Sequence, residues 1–284
     1  MMLYRSLLFT PAIYPERFEK SYESGADGII VDMEDGVGLE QKEAARLHLA
    51  PYFAKIPHPH FVRALRINSP ILPQGVEDLR ELQDKNIQPD ILILPKVESP
   101  DEVTRIAQLF PKIKLMVFIE SPKGLALARE IALSSTNLVA LAFGVGDYSA
   151  AIHASTDWET MSHARAQLVQ AAAEAGIDPL DGPYFDIANK KGLAEEVENS
   201  VRYGFAGKLA IHPSQVETIN HGFSPSKESI AQATKIVKAM EASHGGACKV
   251  DGKMIDQPIL LSAQQVLARF EKIKMRSHGK SSPT

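Results

Sequence analysis

The chain of 284 residues carries 31 basic and 35 acidic side chains, giving a formal net charge of −4, and 44% of its residues are hydrophobic. This is ordinary globular composition, which excludes a disordered, collagen-like or coiled-coil chain and provides no basic surplus for nucleic acid. One cysteine excludes an internal disulfide or a cysteine zinc cluster, and no apolar run approaches the roughly 20 residues that span a bilayer, so we expect a cytoplasmic protein without a membrane partner.

Short apolar runs of strand-forming composition recur along the chain, roughly one every 28 residues, which is enough for a strand, a helix and two loops. Several of them are apolar without strict alternation, as expected for strands that are covered on both faces. The eight predicted strands are 5–12, 28–35, 60–68, 91–98, 114–120, 138–147, 180–186 and 204–212.

Helical spacing separates these runs. Ser99 and Ser121 each precede a proline directly after a predicted strand, which is a helix-capping pattern. The clearest predicted helices are 16–24, 100–109, 124–133, 162–175 and 191–203. Eight β/α units in about 220 residues predict an α/β fold, a (β/α)₈ barrel over 1–225. A doubly wound open sheet is the alternative, although such sheets usually have fewer strands.

The pattern changes after the eighth strand. We predict a helix at 226–243, a glycine-rich hinge at 244–246, a hairpin at 248–255 that turns at Asp251-Gly252, and a last helix at 258–274. The stretch 226–275 is therefore expected to form a small lid on the barrel, and 276–284 a disordered polar tail.

Charged residues cluster where the predicted strands end. Since the active site of a (β/α)₈ barrel lies at the carboxyl ends of its strands, these residues are the first functional candidates. They are Asp32, Glu34, Asp35, Arg66, Asn68, Lys96, Glu98, Glu120, Asp147, Asp181, Asp186 and His212.

Glu120 and Asp147 lie one β/α unit apart and should face each other from neighbouring strands. Two carboxylates without a Cys or His cluster suggest a hard cation, best Mg²⁺, that takes its other ligands from water and substrate. Either carboxylate alone would more often be a helix cap or an ion-pair partner.

Arg66 follows an inward-pointing run, where a guanidinium can grip a substrate carboxylate through two parallel hydrogen bonds. Pairing with Glu34 or Asp35 is the alternative. These two acids, together with Asp32, are expected either to orient metal-bound waters or to form ordinary ion pairs at the rim.

Two further features concern ligands. Gly144 and Gly146 lack the third glycine and the position of a dinucleotide loop, so we expect them to let substrate approach the backbone, with Gly146 as a substrate contact. Arg17 and Lys20 follow the first strand and are candidates for a cofactor phosphate, although most such residues are simply solvated.

Several segments resemble the citrate lyase β-subunit-like proteins of the HpcH/HpaI aldolase group, in the same order from about residue 5 to 265. The matching motifs are Arg5-Ser6-Leu7-Leu8-Phe9-Thr10-Pro11, Asp32-Met33-Glu34-Asp35-Gly36-Val37, Arg66-Ile67-Asn68, Leu94-Pro95-Lys96-Val97-Glu98, Ile119-Glu120-Ser121-Pro122, Phe143-Gly144-Val145-Gly146-Asp147, Gly204-Phe205-Ala206-Gly207-Lys208, Ile211-His212-Pro213 and Asp251-Gly252-Lys253-Met254-Ile255-Asp256.

The resemblance implies a Mg²⁺-dependent barrel that cleaves a carbon–carbon bond in a CoA or acyl-carrier thioester, giving a 2-oxo acid. It implies that Glu120 and Asp147 ligate Mg²⁺, that Arg66 holds the oxo-acid carboxylate, and that Glu34 and Asp35 support the metal waters. It assigns Asp256 as the acid/base, carried by the lid and often delivered into a neighbouring subunit's site, which favours a homo-oligomer such as a trimer or hexamer.

We therefore predict a lyase that acts on a citramalyl, citryl or malyl thioester. Three alternatives stay open: a malyl-CoA thioesterase, the β subunit of a citrate lyase complex that takes its substrate from a carrier protein, and a non-catalytic barrel that binds an oxo acid or serves as a scaffold. The joint presence of Arg66, Glu120, Asp147 and Asp256 weighs against the last of these.

Overall fold

The computed structural model describes residues 3–243 and 246–279, with side chains to Arg276. Contacts divide the chain into two compact units. The larger unit is Tyr4–His221, and the smaller begins at Gly222 and includes Leu3. Within the described ranges, no helix has the length and apolar character needed to cross a membrane.

The larger unit is built on eight parallel strands that close into a barrel, each paired with the next in chain order and the eighth with the first. The predicted (β/α)₈ barrel is confirmed, and the open sheet is excluded. The strands are shorter than predicted because their polar ends turn away into loops. They are β1 (Ser6–Pro11), β2 (Gly28–Asp32), β3 (Val62–Arg66), β4 (Ile91–Leu94), β5 (Lys114–Ile119), β6 (Leu138–Phe143), β7 (Asp178–Asp181) and β8 (Gly207–Ala210).

Helices surround this barrel, and the predicted serine caps are present: the Ser99 hydroxyl accepts from Asp101 N–H and the Ser121 hydroxyl from Gly124 N–H. The helix predicted at 124–133 is instead two short helices that meet at Leu127. The helices are α1 (Phe18–Glu23), α2 (Lys42–Arg46), α3 (Leu49–Phe53), α4 (Pro73–Asp84), α5 (Pro100–Leu109), α6 (Pro122–Ala126), α7 (Ala128–Ala132), α8 (Val145–Ala151), α9 (Trp158–Ala175), α10 (Lys190–Tyr203) and α11 (Pro213–Gly222), with 3₁₀ turns at Pro15–Arg17 and Leu39–Gln41.

The strands supply the core. Every residue of β2, β3 and β4 is buried, as expected for a parallel sheet with side chains packed inside the barrel and helices packed outside it. Within the barrel, Phe9 of β1 and Phe118 of β5 meet edge to face, with ring centroids 6.1 Å apart. This aromatic pair lies beneath the carboxyl ends of the strands.

Asp181 does not belong to the rim site where its position at the end of β7 had placed it. Its carboxylate accepts from Arg165 Nε at 2.8 Å, Lys208 Nζ at 2.6 Å and Ser200 Oγ at 2.7 Å. Because alternate residues of a strand face opposite sides of the sheet, Asp181 is directed at helices α9 and α10. Burial opposes its ionisation, but Lys208 and Arg165 outweigh burial and lower its pKa to about 2. Asp181 is therefore a structural anion.

Replacing Lys208 by methionine should destabilise the protein by about 3 kcal/mol, because removing one partner of a buried ion pair leaves an uncompensated charge. Lys208 Nζ also donates to Glu196 Oε1 at 2.6 Å, so two carboxylates lose their partner. Urea unfolding checks this. The control is Lys191→Met on the same helix as Glu196, whose side chain is 90% exposed, and its unfolding should stay within about 0.5 kcal/mol of wild type. Equal stability of the two variants would contradict the prediction.

The smaller unit comprises α12 (Lys227–Ala242), an antiparallel pair of strands, β9 (Cys248–Val250) and β10 (Lys253–Ile255), and α13 (Gln257–Gly279). Its hairpin turns at Asp251 and Gly252, both with positive φ, as predicted. Apolar side chains of α12, the hairpin and α13 form its core: Ala233, Ile236, Met240, Val250, Ile255 and Ala263.

Two expectations for this region concern the predicted hinge and the predicted tail. The last helix runs to Gly279. Residues 276–279 are therefore helical, whereas the sequence analysis had placed them in a disordered tail. Residues 280–284 lie outside the described part of the chain. So do His244 and Gly245, two of the three residues of the predicted hinge.

Candidate functional site

A cavity of about 450 Å³ opens at the carboxyl ends of the barrel strands. This is the end at which (β/α)₈ barrels carry their sites. Its polar lining consists of Asp32, Asp35, Arg66, Glu120 and Asp147. Its remaining walls are apolar side chains and glycines: Phe9, Pro11, Gly36, Phe118, Phe143, Gly144, Val145, Gly146, Pro183, Phe185 and Ile211.

Arg66, the last residue of β3, is fixed by Asp32, the last residue of β2. Its Nε and Nη2 donate to the two Asp32 carboxylate oxygens, both at 2.7 Å. Asp32 also accepts from the N–H groups of Glu34 and Gly36, and the charge and hydrogen bonds of Arg66 outweigh burial to lower the pKa of Asp32. The guanidinium lies over the Phe9 ring at 4.7 Å. Its two hydrogen bonds to Asp32 use two of its five N–H donors.

Glu34 is buried between two cations. Its Oε2 forms an ion pair with Arg66 Nη1 at 2.8 Å, and its Oε1 accepts from Lys96 Nζ. The expected alternative pairing of Arg66 with Glu34 is therefore present, with Asp32 in place of Asp35. Asp35 is 62% exposed and contacts Lys96 Nζ at 3.5 Å.

Lys96 connects these acids to Asp147. Its Nζ lies 3.4 Å from Asp147 Oδ2 as well as beside Glu34. Although burial alone would lower the pKa of Lys96, the hydrogen bond and charge of Glu34 raise it, so the ammonium stays protonated.

Glu120 follows β5 and is 4% exposed. Neither of its carboxylate oxygens has a hydrogen-bond partner in the described part of the chain. Burial, and then the neighbouring carboxylates of Asp147 and Glu34, raise the pKa of Glu120 well above its usual range. Burying a carboxylate without hydrogen-bond donors costs free energy, so these oxygens should bind a proton or a cation.

Asp147 lies in the first turn of α8 rather than at the end of β6, because the strand stops at Phe143 and the chain turns at Gly144. Its side chain is 46% exposed. Partial burial acts to raise its pKa, but the contact with Glu120 and the Lys96 charge lower it, so Asp147 is the ionised member of the pair. The structure thus brings Glu120 and Asp147 together.

The donor set fits a hard divalent cation. Arg66 and Lys96 form ion pairs with Asp32, Glu34, Asp35 and Asp147, and Lys42 lies close by and donates to the Glu34 backbone carbonyl. The two undonated oxygens of Glu120 lie beside Asp147. Carboxylate oxygens are the ligands that Mg²⁺ prefers. Among the described residues no group of three or more His, Cys, Asp or Glu forms a metal cage, so water and substrate would supply the other ligands.

Gly144 is the residue that admits Glu120. A Cβ at this position would lie 2.2 Å from Glu120 Cγ and 2.8 Å from its Cδ. We therefore expect Gly144→Ala to displace the Glu120 carboxylate and weaken the binding of a divalent cation at this site by about 100-fold. The control is Gly38→Ala, where the nearest atom to an added Cβ is Gln41 Oε1 at 3.5 Å. Calorimetric titration of the two variants with Mg²⁺ checks this, and an unchanged affinity in Gly144→Ala would contradict it.

Three predicted residues lie elsewhere. Arg17 is more than half exposed, lies over the Tyr14 ring at 4.2 Å and pairs with Glu16; Lys20 is exposed. Asp256 belongs to the smaller unit, where it is exposed and its Oδ1 accepts from Ile259 N–H at the start of α13. Gly146 lines the cavity, next to the Phe185 ring.

The sequence placed Lys96 at the rim without a role of its own, and it left Asp32 with two open roles, orienting metal-bound waters or forming an ion pair. Asp32 is the residue that orients Arg66, and Lys96 is the cation shared by Glu34, Asp35 and Asp147. The sequence feature that could have revealed the role of Asp32 is its position: it ends β2, and Arg66 ends the neighbouring strand β3. Nothing in the sequence marks the left-handed backbone of Lys96, whose φ is 53°.

The closed barrel and the acidic cluster with one arginine at its mouth define a (β/α)₈ protein with a polar site at the usual end. The chain belongs to the HpcH/HpaI aldolase/citrate lyase family, whose model matches residues 5–213.

Curated relatives cover nearly the whole chain. Citrate lyase subunit beta of Haemophilus influenzae is 32% identical, over 95% of this chain and 97% of that protein. Human mitochondrial citramalyl-CoA lyase is 30% identical, over 95% of this chain and 86% of that protein. The (3S)-malyl-CoA thioesterase of Cereibacter sphaeroides is 31% identical, over 95% of each chain. The chain is thus a member of a family of CoA-ester lyases that also includes a thioesterase.

Solved structures agree with this assignment. CitE from Mycobacterium tuberculosis, in complex with magnesium, acetoacetate and coenzyme A, superimposes with a TM-score of 0.80 at 31% identity, covering 94% of this chain and 97% of that one. RipC from Yersinia pestis superimposes with a TM-score of 0.70 at 38% identity, covering 80% of this chain and 97% of that one.

Proposed function

We propose that the protein is a Mg²⁺-dependent carbon–carbon lyase that cleaves a 3-hydroxyacyl thioester of the citramalyl, citryl or malyl type into a 2-oxo acid and an acetyl thioester. The observation that carries the proposal is the buried Glu120 carboxylate, which lacks hydrogen-bond donors among the described residues and lies next to Asp147. The magnesium in the related CitE complex supports the choice of metal.

Glu120 and Asp147 would hold the Mg²⁺ ion. When bound, the ion supplies a Lewis acid that polarises the substrate oxygen destined to become the ketone. Glu34 and Asp35 would support the metal-bound waters. Asp32 and Glu34 would not ligate the ion themselves, since both are engaged by Arg66 and Glu34 also by Lys96. Their part is to fix the arginine and to balance the charge around the two ligands.

Arg66 would bind the oxo-acid carboxylate. Asp32 grips its Nε and Nη2, so the guanidinium plane cannot rotate, and donors on Nη1 and Nη2 remain for a substrate oxygen. The Phe9 and Phe118 rings, 4.7 Å and 5.7 Å from the guanidinium carbon, cover it on the barrel side and limit its contact with water.

The cleavage needs one base and one acid. The substrate hydroxyl loses its proton, the carbon–carbon bond breaks, and its electron pair forms a thioester enolate that is protonated on carbon to give the acetyl thioester. We assign the proton transfer to Asp256, carried by the smaller unit, and this assignment rests on the family motif that ends in Asp256. In this scheme the smaller unit acts as a lid, and a neighbouring copy in a trimer or hexamer supplies Asp256.

The remaining contacts concern the thioester. Gly146 would allow the acyl part to approach the backbone, and Arg17 and Lys20 at the β1 exit would meet the phosphates of CoA. The acetoacetate and coenzyme A in the CitE complex support this pairing of ligands. An acyl-carrier thioester is the alternative donor, supported by the citrate lyase β subunits among the relatives.

A thioesterase is the second candidate, since a malyl-CoA thioesterase is 31% identical over 95% of the chain. The deciding experiment incubates the protein with Mg²⁺ and malyl-, citramalyl- or citryl-CoA and measures oxo acid and free thiol separately. We expect oxo acid without free thiol from one of the three. Free thiol without oxo acid would replace the lyase by a thioesterase. Neither product would favour a carrier-bound substrate or a non-catalytic barrel.

A further inference from the structure

Lys96 follows β4 in a backbone conformation that side chains other than glycine rarely adopt. Its φ is 53°, and it is the residue by which the chain leaves the strand at the cavity rim. Such left-handed positions persist where the surrounding contacts hold them, and they concentrate at functional sites. From this position the side chain, which is 39% exposed, reaches the acidic cluster with its ammonium group.

The ammonium contacts acids from two directions. Glu34, which accepts its hydrogen bond, and Asp35, at 3.5 Å, follow β2, whereas Asp147, at 3.4 Å, lies in α8 after β6. Glu34 is 7% exposed and Asp147 is 46% exposed. Lys96 therefore ties a buried acid that already pairs with Arg66 to a half-exposed acid that has room to move.

We propose that Lys96 is a positioning residue for the metal site: its ammonium occupies the place of the divalent cation beside Asp147 in the metal-free protein and competes with Mg²⁺ for that carboxylate. The inference rests on the proposed function in one respect, the role of Glu120 and Asp147 as Mg²⁺ ligands. It goes beyond that function by making a lysine that binds neither metal nor substrate the residue that sets the metal affinity.

The charge of the Lys96 ammonium and the flexibility of its side chain determine how it affects Mg²⁺ binding. Without Lys96, the Asp147 and Glu120 carboxylates would face each other, and no other cation of the described residues would form an ion pair with Asp147. With Mg²⁺ in place, the metal neutralises the same pair, and the ammonium becomes a like charge within a few ångströms of it. An ammonium has three donors on a flexible stem, so Lys96 can release Asp147 and keep Glu34. Lys96 thus stabilises the metal-free site more than the metal-bound one.

The test is a Mg²⁺ titration by calorimetry without substrate. Lys96→Met, which keeps the left-handed backbone but removes the charge, should bind Mg²⁺ about tenfold more tightly than wild type. Lys96→Arg, which keeps the charge, should stay within about threefold of wild type. The half-saturating Mg²⁺ concentration in the lyase assay should shift in the same direction and by the same factor.

Two further variants show whether the effect comes from the charge of Lys96. Lys96→Gly tests for an effect of its backbone conformation, and Lys123→Met tests for an effect of any nearby cation. Lys96→Gly, which relieves the backbone strain, should match Lys96→Met in Mg²⁺ affinity. Lys123→Met removes a cation at the next strand exit, where Lys123 pairs with Glu98 at 3.2 Å, and should leave the affinity unchanged.

Unchanged or weaker Mg²⁺ binding in Lys96→Met would overturn the role of Lys96 and leave the metal site standing. A different affinity in Lys96→Gly from that in Lys96→Met would also overturn it, because the effect would then come from the backbone. Absence of Mg²⁺ binding in wild type and in every variant would instead overturn the metal site, and the role of Lys96 with it.

Discussion

Glu120→Gln should lose Mg²⁺ binding and at least about 1,000-fold of its turnover while folding as stably as wild type or more stably. The amide has nearly the shape of the carboxylate, so the packing against Gly144 is kept, but it offers the metal no charge. Glu120 has no hydrogen-bond donors among the described residues and an elevated pKa, so it contributes little to the fold as a carboxylate. Its neutral replacement removes a desolvation cost of about 1 kcal/mol.

This combination distinguishes a ligand from a structural residue, for which activity and stability fall together. The measurements are calorimetric Mg²⁺ binding, initial rates and urea unfolding. The matched control is Glu196→Gln, a buried glutamate that accepts from Lys208, which should lose stability and keep its Mg²⁺ dependence. If Glu120→Gln kept full Mg²⁺-dependent activity, the metal assignment would fall.

The barrel could be predicted because the sequence pattern of a strand followed by a helix is local and is repeated eight times. Eight apolar runs at even spacing, with capped helices between them, leave few other folds. The sequence also predicted that Glu120 would face Asp147, since consecutive parallel strands are neighbours. Both inferences depend on chain order alone, which a sequence displays directly.

What the sequence could not provide is the direction of each side chain. Asp181 ends a strand as Glu120 follows one, yet Asp181 faces the helices because alternate strand residues point to opposite sides. Lys96, whose backbone is left-handed, contacts Asp147, which lies 51 positions away in the sequence. Asp32 and Glu34 had two open roles that their spacing could not separate. The structure places both in ion pairs with Arg66, and their part in orienting metal-bound waters stays a prediction.

Asp256→Asn should lose about 100- to 10,000-fold of its turnover and retain Mg²⁺ and oxo-acid binding, because a general acid/base contributes to the transition state and not to ground-state affinity. The substitution is chosen for a structural reason. Asp256 Oδ1 accepts from Ile259 N–H at the start of α13, and the asparagine carbonyl caps a helix equally well. The variant therefore removes the carboxylate and keeps the cap.

Oxo-acid affinity, measured by calorimetry in the presence of Mg²⁺, should change by less than about threefold, and the loss should be confined to kcat. Asp251→Asn is the matched control, since Asp251 lies in the hairpin of the same unit, pairs with Lys235 at 3.4 Å and is more than half exposed. It should keep wild-type turnover. If Asp256→Asn lost binding and turnover together, Asp256 would be a structural residue of the smaller unit. If it kept full turnover, the acid/base would have to be sought among the polar side chains of the barrel mouth.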